Sequence, residues 1–159
     1  LRGVLWLVAG WLRLPGLVRA AAPCSVGALL WYASSFPGGP TRSTALASWL
    51  HNGGHVVAYA ALGSAVLLAG PRPTARVGGW WLGSWLLATA YGGVDEWHQS
   101  WVPGRTASLG DVLSDAIGAA LGVALVRAAW AWDGRQAVRL SLLVLAGMAS
   151  VTLATFGPW

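Results

Sequence analysis

Residues 95–122 read DEWHQSWVPGRTASLGDVLSDAIGAALG and hold Asp95, Glu96, Asp111 and Asp115, four of the chain's 5 acidic residues. His98, Gln99 and Arg105 lie in the same stretch, and long apolar segments flank it on both sides. Ionisable groups in or beside hydrocarbon are costly to keep, so where they gather they mark a working site. The flanks set the architecture and the polar stretch sets where function is sought.

The composition supports the apolar half of that reading. Of 159 residues, 56% are hydrophobic and only 9% are charged, and the mean hydropathy is +0.59. A soluble domain carries about a quarter charged residues, so this chain reads as a membrane protein. The expected fold is all-α, a polytopic transmembrane helical bundle of about five spans, with residues 1–159 as a single membrane domain. The net charge of +5 comes entirely from arginine, as there is no lysine. The arginines fall between apolar segments, where they set orientation and do not form a nucleic-acid surface. The single cysteine, Cys24, leaves no internal disulfide and no cysteine-based metal site. Pro23 beside it, with Arg13 and Arg19 upstream, argues against a cleaved or lipid-modified leader, so Cys24 is expected to be a buried, unreactive thiol.

A helix needs about 20 mainly apolar residues to span the hydrocarbon core. Five runs qualify: Val18 to Phe36, about His51 to Ala69, about Gly78 to Glu96, about Asp111 to Trp130, and about Val138 to Phe156. Pro37-Gly38-Gly39-Pro40 stops the first and Pro71-Arg72-Pro73 the second. Residues 1–16 are apolar but short and interrupted. They read either as an interfacial helix carrying Trp6 and Trp11 or as the remnant of a longer segment, and the leucine start suggests trimming or an unusual start codon.

With the N-terminus inside, the cytoplasmic side receives eight of the 10 basic residues, Arg2, Arg13, Arg19, Arg72, Arg76, Arg127, Arg135 and Arg139, and the outer side Arg42 and Arg105. That bias predicts a multi-pass protein of the cell membrane with a cytoplasmic N-terminus and an extracytoplasmic polar cluster. The tryptophans follow it: Trp80, Trp81, Trp130 and Trp132 fall at the inner boundary, and Trp49, Trp97, Trp101 and Trp159 at the outer one. Gly118-x-x-x-Gly122 and Gly79-x-x-x-Gly83 are spaced to let two backbones approach.

Three runs each offer a polar stripe near the outer boundary. His51, His55 and Tyr59 are four apart on one face of the second, and Glu96 and Gln99 are three apart on the third. Asp111, Asp115, Gly118 and Gly122 line one stripe of the fourth, and Val102-Pro103-Gly104-Arg105 makes a turn that holds Arg105 near the acids. Each part also has a structural reading: Arg105 pairing with Glu96 or Asp111, Asp111 capping its helix, Glu96 and Gln99 as a solvated helix end, His51 exposed. The candidate site residues are His55, Tyr59, Glu96, Gln99, Arg105, Asp111 and Asp115. His51-x-x-x-His55 has the spacing of a helical zinc site, but Asn52 stands where the zinc-protease motif needs glutamate, so no metal ligand and no cofactor is assigned. No Gly-x-Ser-x-Gly elbow is present.

In order and spacing, His55-x-x-x-Tyr59, Glu96-x-x-Gln99, Pro103-Gly104-Arg105, and Asp111 with its following glycine-rich helix resemble the VanZ-like membrane proteins over about residues 20–130. Two departures stand out. Asn52-Gly53-Gly54 replaces an Asp-Lys often found before the first histidine, and Asp115 stands where asparagine is frequent. The resemblance implies a bacterial cell-envelope protein. The family's name-giving member is associated with resistance to teicoplanin, a glycopeptide antibiotic acting at the outer envelope surface. Together the residues and the resemblance point to a pocket recognising an amphipathic lipid or lipid-linked anionic precursor through Arg105. The alternatives are an intramembrane enzyme with Glu96, Asp111 and His55 as acid–base groups, a structural or regulatory subunit, and a small transporter. The last lacks a charged residue near mid-membrane and an inverted repeat.

Overall fold

The computed structural model describes residues 9–37, 44–71, 79–130 and 134–156. The readings for Trp6, Gly38, Arg42, Arg72, Arg76, Trp132 and Trp159 lie outside them. Five long helices follow in order: α1 (Gly16–Ser34), α2 (Ala45–Ala69), α3 (Trp80–Gln99), α4 (Leu109–Trp130) and α5 (Gly134–Phe156). Among the described residues there is no strand. The all-α bundle expected from the sequence is what forms.

By length and apolarity alone, three helices among the described residues qualify as membrane spans: α2, α4 and α5. The other two, with 19 residues in α1 and 20 in α3, are also long enough to cross. Arg19 in α1, and Asp95, Glu96, His98 and Gln99 in α3, reduce their apolarity. The chain is turned inside out relative to a soluble domain. Leu17 is 90% exposed, Leu109 81% and Val57 72%, while Ser84, Asp95, Glu96, Gln99, Ser114 and Asp115 are buried. So broad an apolar surface needs lipid to cover it.

The helix starts differ from expectation in one informative way. α2 begins about six residues before His51, because Thr44 Oγ1 accepts the Ala47 N–H at 3.2 Å and supplies an N-cap. Starting there carries His51 well inside the helix, and its side chain remains exposed as expected.

The centre of the bundle is α2, which packs on all four other helices and most extensively on α4. Small residues make that crossing close. A Cβ at Gly63 would meet the Ala119 backbone, one at Gly118 would meet the Val56 backbone, and one at Gly122 would meet the Ala60 carbonyl. The first glycine spacing read from the sequence therefore works as supposed. The second does not. Gly79 has nothing within 4 Å and Gly83 faces only the Trp80 ring of its own helix, so Gly79-x-x-x-Gly83 brings no two backbones together. Cys24 also departs from expectation, being exposed on the surface of α1.

Indoles and arginines fasten the end of the bundle away from the polar cluster. Trp80 donates to the Leu67 carbonyl, Trp11 to that of Leu68, and Arg19 to the Leu68 and Gly70 carbonyls. Cations suit the carbonyl-rich C-terminus of α2. Arg127 lies 4.8 Å over the Trp81 ring.

Candidate functional site: a polar cavity at one end of the bundle

The C-terminal halves of α1 and α3 and the N-terminal parts of α2 and α4 converge at the opposite end. α2 brings His51, His55 and Tyr59 on one face; α3 brings Asp95, Glu96 and Gln99; α4 brings Asp111 and Asp115. Leu30, Ala33, Ser34, His51, Gly54, His55, Ala58, Tyr59, Asp95, Gln99 and Arg105 line a cavity of about 190 Å³ there. His51 and Gly54 are exposed at its edge, whereas Tyr59 and Asp95 are buried.

Behind this cavity, His55 Nδ1 donates to Asp115 Oδ1 at 2.9 Å, joining α2 to α4. Asp115 is completely buried, and among the described residues its Oδ2 has no hydrogen-bond partner. That oxygen faces α3 at Gly92, where an added Cβ would lie 2.8 Å from it. One helical turn beyond Gly92 on the same face stands Glu96. The Tyr59 ring lies parallel to His55 with centroids 6.5 Å apart, and its buried hydroxyl also has no partner among the described residues. A buried polar atom without a partner is rare and costly.

A second network centres on Gln99. Its Nε2 donates to Asp95 Oδ2 at 3.0 Å and to Glu96 Oε1 at 2.9 Å, and its Oε1 accepts from Arg105 Nη1 at 2.9 Å. Asp95 Oδ1 accepts from the Ser34 hydroxyl at 2.6 Å, which lies 3.2 Å from His98 Nδ1, and His98 stacks on Trp31 at 3.8 Å. Glu96 and Gln99 are thus buried and fully engaged, unlike a solvated helix end.

The loop after α3 is set by Gly104, whose φ of 75° is a left-handed conformation that suits glycine. It delivers Arg105 as expected, but not into an ion pair with Glu96 or Asp111. Arg105 Nε donates to the Phe36 carbonyl at 3.0 Å and Nη2 to the Ala33 carbonyl at 3.3 Å. The acids are reached through Gln99 instead. Among the described residues three of the five guanidinium N–H donors find partners, leaving one on each terminal nitrogen.

Helix α4 is capped by Ser108, not Asp111. Ser108 Oγ accepts from the Gly110 and Asp111 N–H groups at 3.1 and 3.3 Å. In a capping box, the acid three residues on returns the bond to the cap's own N–H. Here Glu96 of α3 does so, its Oε2 accepting from the Ser108 N–H at 2.9 Å. Asp111 is left with a buried Oδ1 that has no partner among the described residues.

Six of the seven candidates are therefore tied to one another or packed together, and Asp111 sits at the edge of the group. Asp95 and His98, which belong to the acidic stretch read first, and Ser34 and Ser108 also take part, although none is among the seven candidates. Asp95 was legible, since it stands four residues before Gln99. Ser34 carried no signal, because nothing in the sequence says that the end of α1 meets α3.

No curated protein and no solved structure matches this chain. A family model does, over residues 22–131, and the matched region spans His55, Tyr59, Glu96, Gln99, Arg105, Asp111 and Asp115, the residues that furnish this end of the bundle. By that match, over most of its length, the chain belongs to the VanZ/LLP1 family.

Proposed function

We propose that the chain is a cell-envelope membrane protein that binds the anionic head group of an amphipathic lipid or lipid-linked precursor at the extracytoplasmic surface. The position of Arg105 carries this reading. It lines the cavity as a permanent cation, is held by three neighbours, and keeps one N–H on each terminal nitrogen unused among the described residues. Two such donors on one planar fork fit a phosphate or carboxylate edge. A cavity of about 190 Å³ holds roughly six waters' worth of space at about 30 Å³ each, enough for a head group but not for acyl tails. The exposed apolar sides of α1 and α2 leave the tails in lipid.

The test is binding of the purified protein to nanodiscs containing anionic or zwitterionic lipid. Wild type should prefer the anionic discs, and Arg105→Ala should lose the preference. Equal preference in both proteins would remove the basis of the proposal. Orientation is tested separately by a tag at residue 104, expected outside the cell. A link to glycopeptide resistance enters through the family's name-giving member. It predicts lowered teicoplanin susceptibility in cells expressing the chain.

A second reading is favoured by the His55–Asp115 bond. A buried carboxylate orienting an imidazole that lines a cavity is how a general base is held. This intramembrane-enzyme reading predicts product formation from a candidate lipid by wild type and none by Glu96→Gln.

A further inference from the structure

We infer that His55, Glu96 and Asp115 form a binding site for one divalent transition-metal ion. The sequence placed the histidine pair His51 and His55 in view as ligands, but folding selects a different set. One ligand atom from each of His55, Glu96 and Asp115 lies within 4.8 Å of the others. The three come from α2, α3 and α4, so the site exists only in the assembled bundle.

A gathering of acids and a histidine is not by itself a metal site. The additional observation is the unpartnered oxygen of Asp115. Oδ2 is sealed from solvent, accepts no hydrogen bond from the described residues, and faces α3 at Gly92, one turn before Glu96. A buried carboxylate oxygen without a donor calls for a cation, and among the described residues no arginine is bonded to it: Arg105 is fastened to Gln99 and to the end of α1. The hydroxyl of Tyr59, one turn along α2 from His55, is also buried and without a partner among the described residues.

Charge and ligand type point the same way. Two carboxylates and one dication make a neutral centre, which a poorly solvated interior tolerates far better than isolated charges. One imidazole with two carboxylates suits manganese or zinc better than the softer ions that prefer sulfur, and three protein ligands leave a position for water. Bonds of about 2.0–2.2 Å place ligand atoms about 3–3.5 Å apart, so the group must close by roughly 1.5 Å on binding. The proposal goes beyond the head-group reading and stands without it.

The experiment uses the full chain in detergent, stripped with EDTA and titrated with Mn²⁺ alone. Wild type should bind one Mn²⁺ and show nitrogen hyperfine coupling from a single imidazole. Asp115→Asn and Glu96→Gln should each weaken binding by at least tenfold, in the range seen when metal-site groups are altered. Failure of wild type to bind Mn²⁺ or Zn²⁺, absence of nitrogen coupling, or unchanged affinity in Asp115→Asn would overturn the proposal. The coupling is read on wild type, so a variant that does not fold leaves the decision intact. Binding to anionic nanodiscs is measured in the same preparations. A chain that binds anionic discs but no Mn²⁺ removes the ion site alone; one that binds Mn²⁺ without lipid preference removes the head-group reading alone.

Discussion

Substituting Gly118 by alanine tests the crossing on which the cavity rests. A Cβ there would lie 2.9 Å from Val56 Cα and 3.0 Å from its carbonyl carbon, backbone atoms that cannot rotate away. Ordinary carbon contacts begin at about 3.5 Å, so α2 and α4 must separate locally by roughly 0.6–1 Å. Val56 follows His55 directly, and Gly118 lies three residues after Asp115. The same displacement therefore stretches the 2.9 Å His55–Asp115 bond beyond the roughly 3.2 Å limit of a good N–H···O contact. Overpacking costs about 1–3 kcal/mol, and a helix–helix hydrogen bond in a membrane protein contributes about 0.6–1.7 kcal/mol. Alanine returns about 1 kcal/mol of helix propensity. The net loss is about 1–3 kcal/mol, a fall in melting temperature of roughly 3–10 °C for a chain of this size. The matched control is Gly93→Ala, on α3 with nothing within 4 Å, which should gain about 0.5–1 kcal/mol from propensity. Circular dichroism melts in detergent read both. If Gly118→Ala melts at or above Gly93→Ala, the crossing is not tight and the account of the cavity's scaffold fails.

Glu96→Gln should destabilise more than Asp95→Asn, by about 1–3 kcal/mol in melts, because both Glu96 oxygens accept from N–H donors and an amide would set donor against donor. Asp95 faces the Ser34 hydroxyl on one side, which can turn to accept. Gly104→Ala should cost about 1–2 kcal/mol from its left-handed backbone and lower anionic-nanodisc affinity, since it carries Arg105; unchanged affinity would separate the loop from binding. Arg105→Lys should keep the charge yet fail to restore lipid preference, because an ammonium cannot reach Phe36, Ala33 and Gln99 from one plane. A lysine variant with full preference would reduce the role of Arg105 to charge alone.

The bundle was legible because apolar runs and breakers act locally: Val18 to Phe36 became α1 and Asp111 to Trp130 became α4 within a few residues. The face-sharing of His55 and Tyr59, and of Glu96 and Gln99, followed from helical periodicity. What periodicity cannot supply is which oxygen meets which donor across helices. The sequence suggested Arg105 against the carboxylates, and tertiary packing interposed Gln99. It suggested Asp111 as a cap, and Ser108 took the position because its short hydroxyl reaches two N–H groups at once. Cys24 was expected inside on the general habit of thiols in water-soluble proteins, a habit that loses force where the surroundings are lipid.

The bond from Glu96 to the Ser108 N–H has a consequence for assembly. The opening turn of α4 is completed by a side chain that emerges earlier in synthesis, on the preceding helix. A fragment beginning after Gln99 lacks that acceptor and should fray at its first turn, whereas one beginning at Trp80 should hold it. In this protein, one helix supplies the punctuation with which the next begins.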